Sequence, residues 1–160
     1  MSGRKLIVSL VAVAALVGAV PTMAADATPE TYKAEVEPIC KVNTEANERI
    51  LKGVRAKVKA GKYDAAARQF RAAGKALKKA RAQLLGVPKP AEDATRLTKW
   101  LGYVKTEVQF FEAIARKLSN DELTSAQKMV LRLISTSKQA NNLVLDYEFK
   151  YCRQQQSKFL

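Results

Sequence analysis

The apolar positions between residues 97 and 118 fall on one line. Leu97, Leu101, Val104, Val108, Phe111, Ala115 and Leu118 follow one another at steps of 4, 3, 4, 3, 4 and 3. Those steps place seven apolar side chains along one seam of a helix, the arrangement by which helices pack on helices. Such a seam needs partners, and the flanking sequence supplies three. Across residues 62–85, Tyr63, Phe70, Leu77 and Leu84 repeat every seven residues, Ala66, Ala73 and Ala80 fill the alternate positions, and Ala67 and Gly74 lie beside them. Large side chains on one line and small ones on the next let a neighbouring helix approach closely. Residues 121–152 carry Leu123, Ala126, Val130, Leu133, Ser137, Ala140, Val144, Tyr147 and Tyr151, again at steps of 3 and 4. Residues 29–60 hold a weaker seam of Val36, Ile39, Cys40, Ala46, Ile50, Val54 and Val58. Asn43 and Asn47 lie close to it, either as buried polar groups that fix register or, more simply, as partly exposed ones.

Local signals set the boundaries. Thr28 is suited to cap the first helix, with Pro29 at its first position. Pro38 is expected to kink that helix or to move its start. Gly61 reads as a left-handed cap, and Gly86-Val87-Pro88-Lys89-Pro90 stops the second helix. Ser119-Asn120-Asp121-Glu122 supplies a turn and a cap for the last. No stretch alternates as a β-strand does, and no repeat is evident beyond the helical pattern. The expected fold is all-α: helices at about 29–60, 62–85, 91–118 and 121–152, joined by short loops as an antiparallel up-down-up-down four-helix bundle.

The N-terminus changes where this bundle is expected to work. Arg4 and Lys5 precede an apolar run over residues 6–20, and Pro21-Thr22-Met23-Ala24-Ala25 reads as a cleavage zone. Residues 1–25 are therefore expected to be a signal peptide, cleaved after Ala24 or Ala25, with Thr22 slightly favouring Ala24. The run of 15 residues is shorter than the roughly 20 of a membrane-spanning helix, which argues against an uncleaved anchor. No cysteine lies at the cleavage zone to carry a lipid. Residues 26–160 then form one exported domain, ending in a polar tail from Arg153 onward, in a secreted or envelope-associated location.

Export makes the two cysteines informative, because disulfides persist outside the cytoplasm. In an up-down-up-down bundle the start of the first helix and the end of the fourth share one end, so Cys40 and Cys152 are expected to meet. Closing a loop of about 110 residues would stabilise the fold by roughly 4–5 kcal/mol, less any strain. Free or intermolecular thiols are the alternative. One mismatch stands against a simple picture: Cys40 is about 20 residues from the end of its helix and Cys152 about 30 from the start of its own. At about 1.5 Å per residue the arms differ by roughly 15 Å. The fourth helix must overhang or start later.

Ile39-Cys40 with Asn43 and Asn47, Val87-Pro88-Lys89-Pro90 before Trp100-Leu101, and the closing Tyr151-Cys152 form a pattern across most of the mature chain. In this the chain resembles a group of small exported helical proteins of soil actinobacteria. The resemblance implies export, paired cysteines and a helical bundle, and carries over no functional residues.

The absence of histidine removes Ser-His and Cys-His pairs, the usual haem ligands and Glu-x-x-His di-iron motifs. No Cys-x-x-Cys-His or glycine-rich phosphate loop occurs, so no metal or cofactor is expected. Glu107 with Glu112, and Asp146 with Glu148, lack the spacing of side-by-side groups on a helix and are expected to be solvated or salt-bridged. An enzymatic site is not expected.

Charge gives the best functional lead. Residues 49–89 hold thirteen Lys or Arg and one acid, Asp64, for a net +12; the rest of the mature chain comes to −1. Lys52, Arg55, Lys59 and Lys62 form one stripe, and Arg68, Arg71, Lys75, Lys78 and Lys79 another, both expected on the outer face of the first helical hairpin. Such a face attracts anionic wall polymers or lipid headgroups, or simply keeps the protein soluble. Nucleic acid is the least expected partner, since Tyr63 and Phe70, the aromatics in this stretch, are needed by the core. Tyr32, Trp100, Tyr103, Tyr147, Phe149, Tyr151 and Phe159 gather toward the cysteine end. Trp100, Tyr103, Tyr147 and Tyr151 are candidates to line a site for a small apolar ligand, although such residues are more often plain core. Trp100 and Tyr103 cannot both face the seam at Leu97 and Leu101.

Overall fold

The structure, a computed structural model, describes residues 27–153; the expected signal peptide and the polar tail from residue 154 on, with Phe159, lie outside them. Among the described residues the regular structure is entirely helical.

Helix α1 spans Pro29–Leu51. Thr28 accepts a hydrogen bond from the Thr31 amide at 3.2 Å, and Thr31 Oγ1 accepts one from the Thr28 amide at 2.9 Å. Two amide donors that the helix start would leave orphaned are satisfied in this way. The helix runs through Pro38, so the expected change of start does not occur. Its buried line is Tyr32, Val36, Cys40, Asn43, Asn47 and Leu51, while Ile39, Ala46 and Ile50 are only partly covered. Both asparagines are thus inside rather than partly exposed, and Asn47 donates to the Asn43 side chain at 3.4 Å.

The first expected helix is two helices. Gly53 sits at φ +74° and separates α1 from α2, Val54–Lys59. Gln69, from the next helix, donates its side-chain amide to the carbonyls of Ile50 and Lys52 at 2.6 and 3.0 Å. Those carbonyls lose partners at the break, and a side chain from elsewhere replaces them. Gly61, at φ +69°, closes α2 as expected: the Lys62 amide reaches the Lys57 carbonyl and the Gly61 amide that of Val58.

Helix α3, Tyr63–Leu85, buries Ala66, Phe70, Ala73, Leu77, Ala80 and Leu84 of the seam read from the sequence, with Tyr63 at its head only half-buried. Helix α4, Ala94–Ser119, follows a single 3₁₀ turn over Ala91–Asp93, so α-helical geometry begins three residues later than expected. All seven residues of the Leu97-to-Leu118 seam are buried. Arg71 donates to the Ser119 hydroxyl at 2.7 Å and Arg81 to the Leu101 carbonyl at 3.0 Å. Residue numbers rise along α3 as they fall along α4, so the two are antiparallel. Small residues permit the closest approach: a Cβ added at Gly74 would lie 3.1 Å from Phe111 Cβ. Glu107 departs from the expected solvated position. It is fully buried, on the same face as Val104 and Phe111.

Helix α5 spans Leu123–Asn142, not 121–152. Asp121 at φ +57° makes the turn before it, and the Glu122 amide reaches the Lys117 carbonyl. Beyond Asn142 the chain continues in turns, with Val144, Tyr147, Phe149 and Cys152 all buried. This segment crosses to α1, where Cys152 is disulfide-bonded to Cys40 with the Cα atoms 4.9 Å apart. The roughly 15 Å mismatch between the arms is absorbed by ending the helix early. Helix α3 packs against α1, α2 and α4, and α4 packs against α5, which gives a bundle-like arrangement.

The α3–α4 contact gives a paired prediction. Gly74→Leu is expected to lower the unfolding free energy by about 1–3 kcal/mol in a denaturant titration, because it forces the helices apart. Gly102→Ala, on α4 with nothing within 4 Å of the added carbon, is expected to raise it by about 0.5–1 kcal/mol.

Candidate functional site

The basic residues are on the surface. Lys52, Arg55, Lys59, Lys62, Arg68, Arg71, Lys75, Lys78 and Lys79 are all exposed. On α3, Arg68, Arg71, Lys75 and Lys78 follow steps of 3, 4 and 3, on the side away from buried Phe70 and Leu77. Ion pairs join Lys41 with Glu45, Arg96 with Asp93 and Asp146, and Lys117 with Glu122. None engages Lys52, Lys59, Lys62 or the five α3 cations. Among the described residues none of these eight cations has a carboxylate at ion-pair distance. With thirteen cations to one acid across residues 49–89 the segment keeps a net positive field, which acts over about a Debye length, roughly 8–10 Å at moderate salt.

At the cysteine end the aromatic side chains fill the space between the helices with one another. Tyr147 and Phe149 stack with centroids 5.0 Å apart, Tyr147 meets Tyr32 edge-on at 5.8 Å, and Phe149 lies 5.9 Å from Trp100. Glu148, at φ +49°, is the turn residue between the two stacked rings. Of the four apolar-ligand candidates, Trp100 and Tyr147 are buried in this stack. Tyr103 is half-buried, and Tyr151 is half-buried with the ammonium groups of Lys41 and Lys150 at 5.8 and 5.2 Å from its ring. Trp100 and Tyr147 thus pack against other rings, while the groove at the opposite end is lined by other residues.

Polar ties lock the same end. The Tyr147 hydroxyl donates to Asp93 Oδ2 at 2.6 Å, and Arg96 bonds Asp93 at 2.7 Å and both Asp146 oxygens at 2.7 Å. The hydrogen bond from Arg96 holds the Asp146 carboxyl below its ordinary value. Burial, and then the Asp93 carboxylate that accepts its proton, push the Tyr147 phenol upward. Burial alone pushes the Tyr32 phenol up to about 12. Further along, the Tyr151 amide donates to the Glu37 carboxylate at 3.1 and 3.2 Å, and the Tyr151 carbonyl accepts from Thr44 Oγ1 at 3.3 Å. Asp93 and Arg96 were not singled out in the sequence: a pair three residues apart gives no sign of a partner 50 residues on.

The opposite end is open. Helix α2 packs chiefly on α3, and a groove of about 720 Å³ is left among α2, α3, the end of α4 and the start of α5. Val54, Val58, Phe70, Ile114, Leu118 and Leu123 are among its apolar lining, with Ala126, Val130 and Leu131 on α5; Arg55, Lys59 and Gln127 are its polar residues. Val54, Val58, Phe70, Leu118, Leu123, Ala126 and Val130 all read as core in the helical pattern, which carries no sign of a cavity here. Among the described residues no group of three His, Cys, Asp or Glu could hold a metal ion. No helix among them is long and apolar enough to cross a membrane. The chain matches no protein-family model, no characterised protein and no solved structure.

Two tyrosines at the closed end should respond oppositely to loss of the hydroxyl. Tyr147→Phe is expected to cost about 1.5–3 kcal/mol of unfolding free energy, since it removes a hydrogen bond to a carboxylate. Tyr32→Phe removes a buried hydroxyl without a hydrogen-bond partner among the described residues, and is expected to be neutral or stabilising by up to about 1 kcal/mol. Acid should loosen the same end. The stabilisation from ionised Asp146 is complete above the unfolded carboxyl value of about 3.9 and is lost as pH falls through the lower folded value. The stability difference between the parent chain and Asp146→Asn, followed by denaturation across pH 7 to about 2.5, should therefore shrink below about pH 4.

Proposed function

We propose that the chain is an exported, non-enzymatic protein, folded as an antiparallel up-down-up-down four-helix bundle with α1 and α2 as one interrupted arm. It binds anionic envelope polymers or lipid headgroups through the basic face of α2 and α3. One observation carries this reading: eight exposed cations, Lys52, Lys59, Lys62, Arg68, Arg71, Lys75, Lys78 and Lys79, lie outside every salt bridge of the described residues. A solvated face that served only solubility would not need its charges concentrated in one segment with a single acid. The complete lack of histidine supports the non-enzymatic part, and the leader-like residues 1–25 support export. The resemblance to exported actinobacterial helical proteins points the same way.

Binding to anionic vesicles and to isolated wall fragments tests the proposal. Affinity is expected to fall about tenfold or more between about 50 and 300 mM salt, and to fall again in Lys75→Glu/Lys78→Glu/Lys79→Glu. Absence of binding at low salt, or binding indifferent to salt and to these charges, would overturn it.

A further inference from the structure

We propose that the groove between α2 and α5 binds a single long-chain carboxylate, a free fatty-acid-like amphiphile, with its chain on the apolar floor and its head against Arg55 and Lys59. This goes beyond the polyanion reading. It shares two cations with that reading but depends on a floor that a wall polymer would leave unused.

The groove has two chemistries in the order such a ligand requires. Its floor and far wall are hydrocarbon from Val54, Val58, Phe70, Ile114, Leu118 and Leu123, supplied by four helices, α2 to α5. Its polar lining carries only positive charge: Arg55 and Lys59 stand one helical turn apart on α2, and no carboxylate lines it. Arg and Lys so spaced can both engage one carboxylate. The volume of about 720 Å³ falls within the range of roughly 300–1,000 Å³ usual for small-molecule sites. Leu131, on the α5 wall, is 69% exposed, the largest such fraction among the exposed large apolar residues. An acyl chain in the groove would cover it. A small polar anion would waste the floor, and an uncharged hydrocarbon would waste the rim. Charge complementarity combined with an apolar floor selects the amphiphile.

The test uses the full mature chain and sodium octanoate, decanoate and dodecanoate below their micelle concentrations. Binding is measured by titration calorimetry and mapped by methyl chemical shifts. Affinity is expected to rise about two- to fourfold per added methylene, with shifts confined to groove methyls such as Val58, Leu123 and Val130. Val130→Trp, which fills the groove, and Arg55→Gln/Lys59→Gln should each weaken dodecanoate at least tenfold, with circular dichroism checking the fold. Leu131→Gln, an exposed and structurally mild change, should weaken it about threefold. Lys75→Glu/Lys78→Glu/Lys79→Glu should leave dodecanoate binding unchanged while reducing vesicle and wall binding, so the two proposals can fail separately. Chain-length-independent binding, shifts away from the groove, or dodecanol binding as tightly as dodecanoate would overturn the proposal. So would groove shifts that follow protein concentration rather than ligand, because the occupant would then be a second copy.

Discussion

The covalent link from Cys152 to Cys40 decides where the last part of the chain must lie. It takes a segment that carries a helical pattern and fastens it across the first helix instead. A disulfide spanning 112 residues removes a large share of the unfolded chain's freedom, worth about 4–5 kcal/mol by loop entropy. The surrounding contacts agree with it. Glu37 and Thr44 hold the backbone of Tyr151 on either side of Cys40, and Asp93 and Arg96 hold Tyr147 and Asp146 against the start of α4. Between these ties the rings of Tyr32, Tyr147, Phe149 and Trp100 fill the end of the molecule.

Closing one end leaves the other to differ. At the far end the ring contact is a single pair, Phe70 with Phe111 at 6.1 Å among the described residues, and α2 is separated from α1 by Gly53. An apolar floor stays accessible there beneath cations of the same basic segment that runs on along α3. The disulfide and the open groove thus lie at opposite ends. Bound anions would meet the part of the fold that the disulfide does not hold.

How much of this was legible in the sequence depends on which interactions are local. The seams of α3 and α4 were readable because apolar side chains at steps of 3 and 4 encode burial directly; local chemistry marks the start of α1 at Thr28-Pro29 and the break between α3 and α4 at Gly86 to Pro90. The break at Gly53 was not, since one glycine costs a helix only about 1 kcal/mol and the carbonyls released there are satisfied by Gln69 from another helix. Polar character alone left Asn43 and Asn47 between burial and partial exposure and favoured a solvated or salt-bridged Glu107, yet all three are buried. The end of α5 was misread for the opposite reason. Val144, Tyr147 and Tyr151 keep helical spacing, but long-range bonds to Asp93, Glu37 and Cys40 outweigh helix propagation. For the candidate site, the density of cations in residues 49–89 was plain, while the groove beneath Arg55 and Lys59 arises only when four helices leave a gap.

Peptide mapping of protein recovered from an oxidising compartment, digested without reductant, tests the central linkage most directly. One cross-linked pair joining the Cys40 peptide to the Cys152 peptide within a single molecule, and lost on reduction, is expected. Alkylatable free thiols at both positions, or Cys40 joined to the same residue of a second molecule, would contradict it.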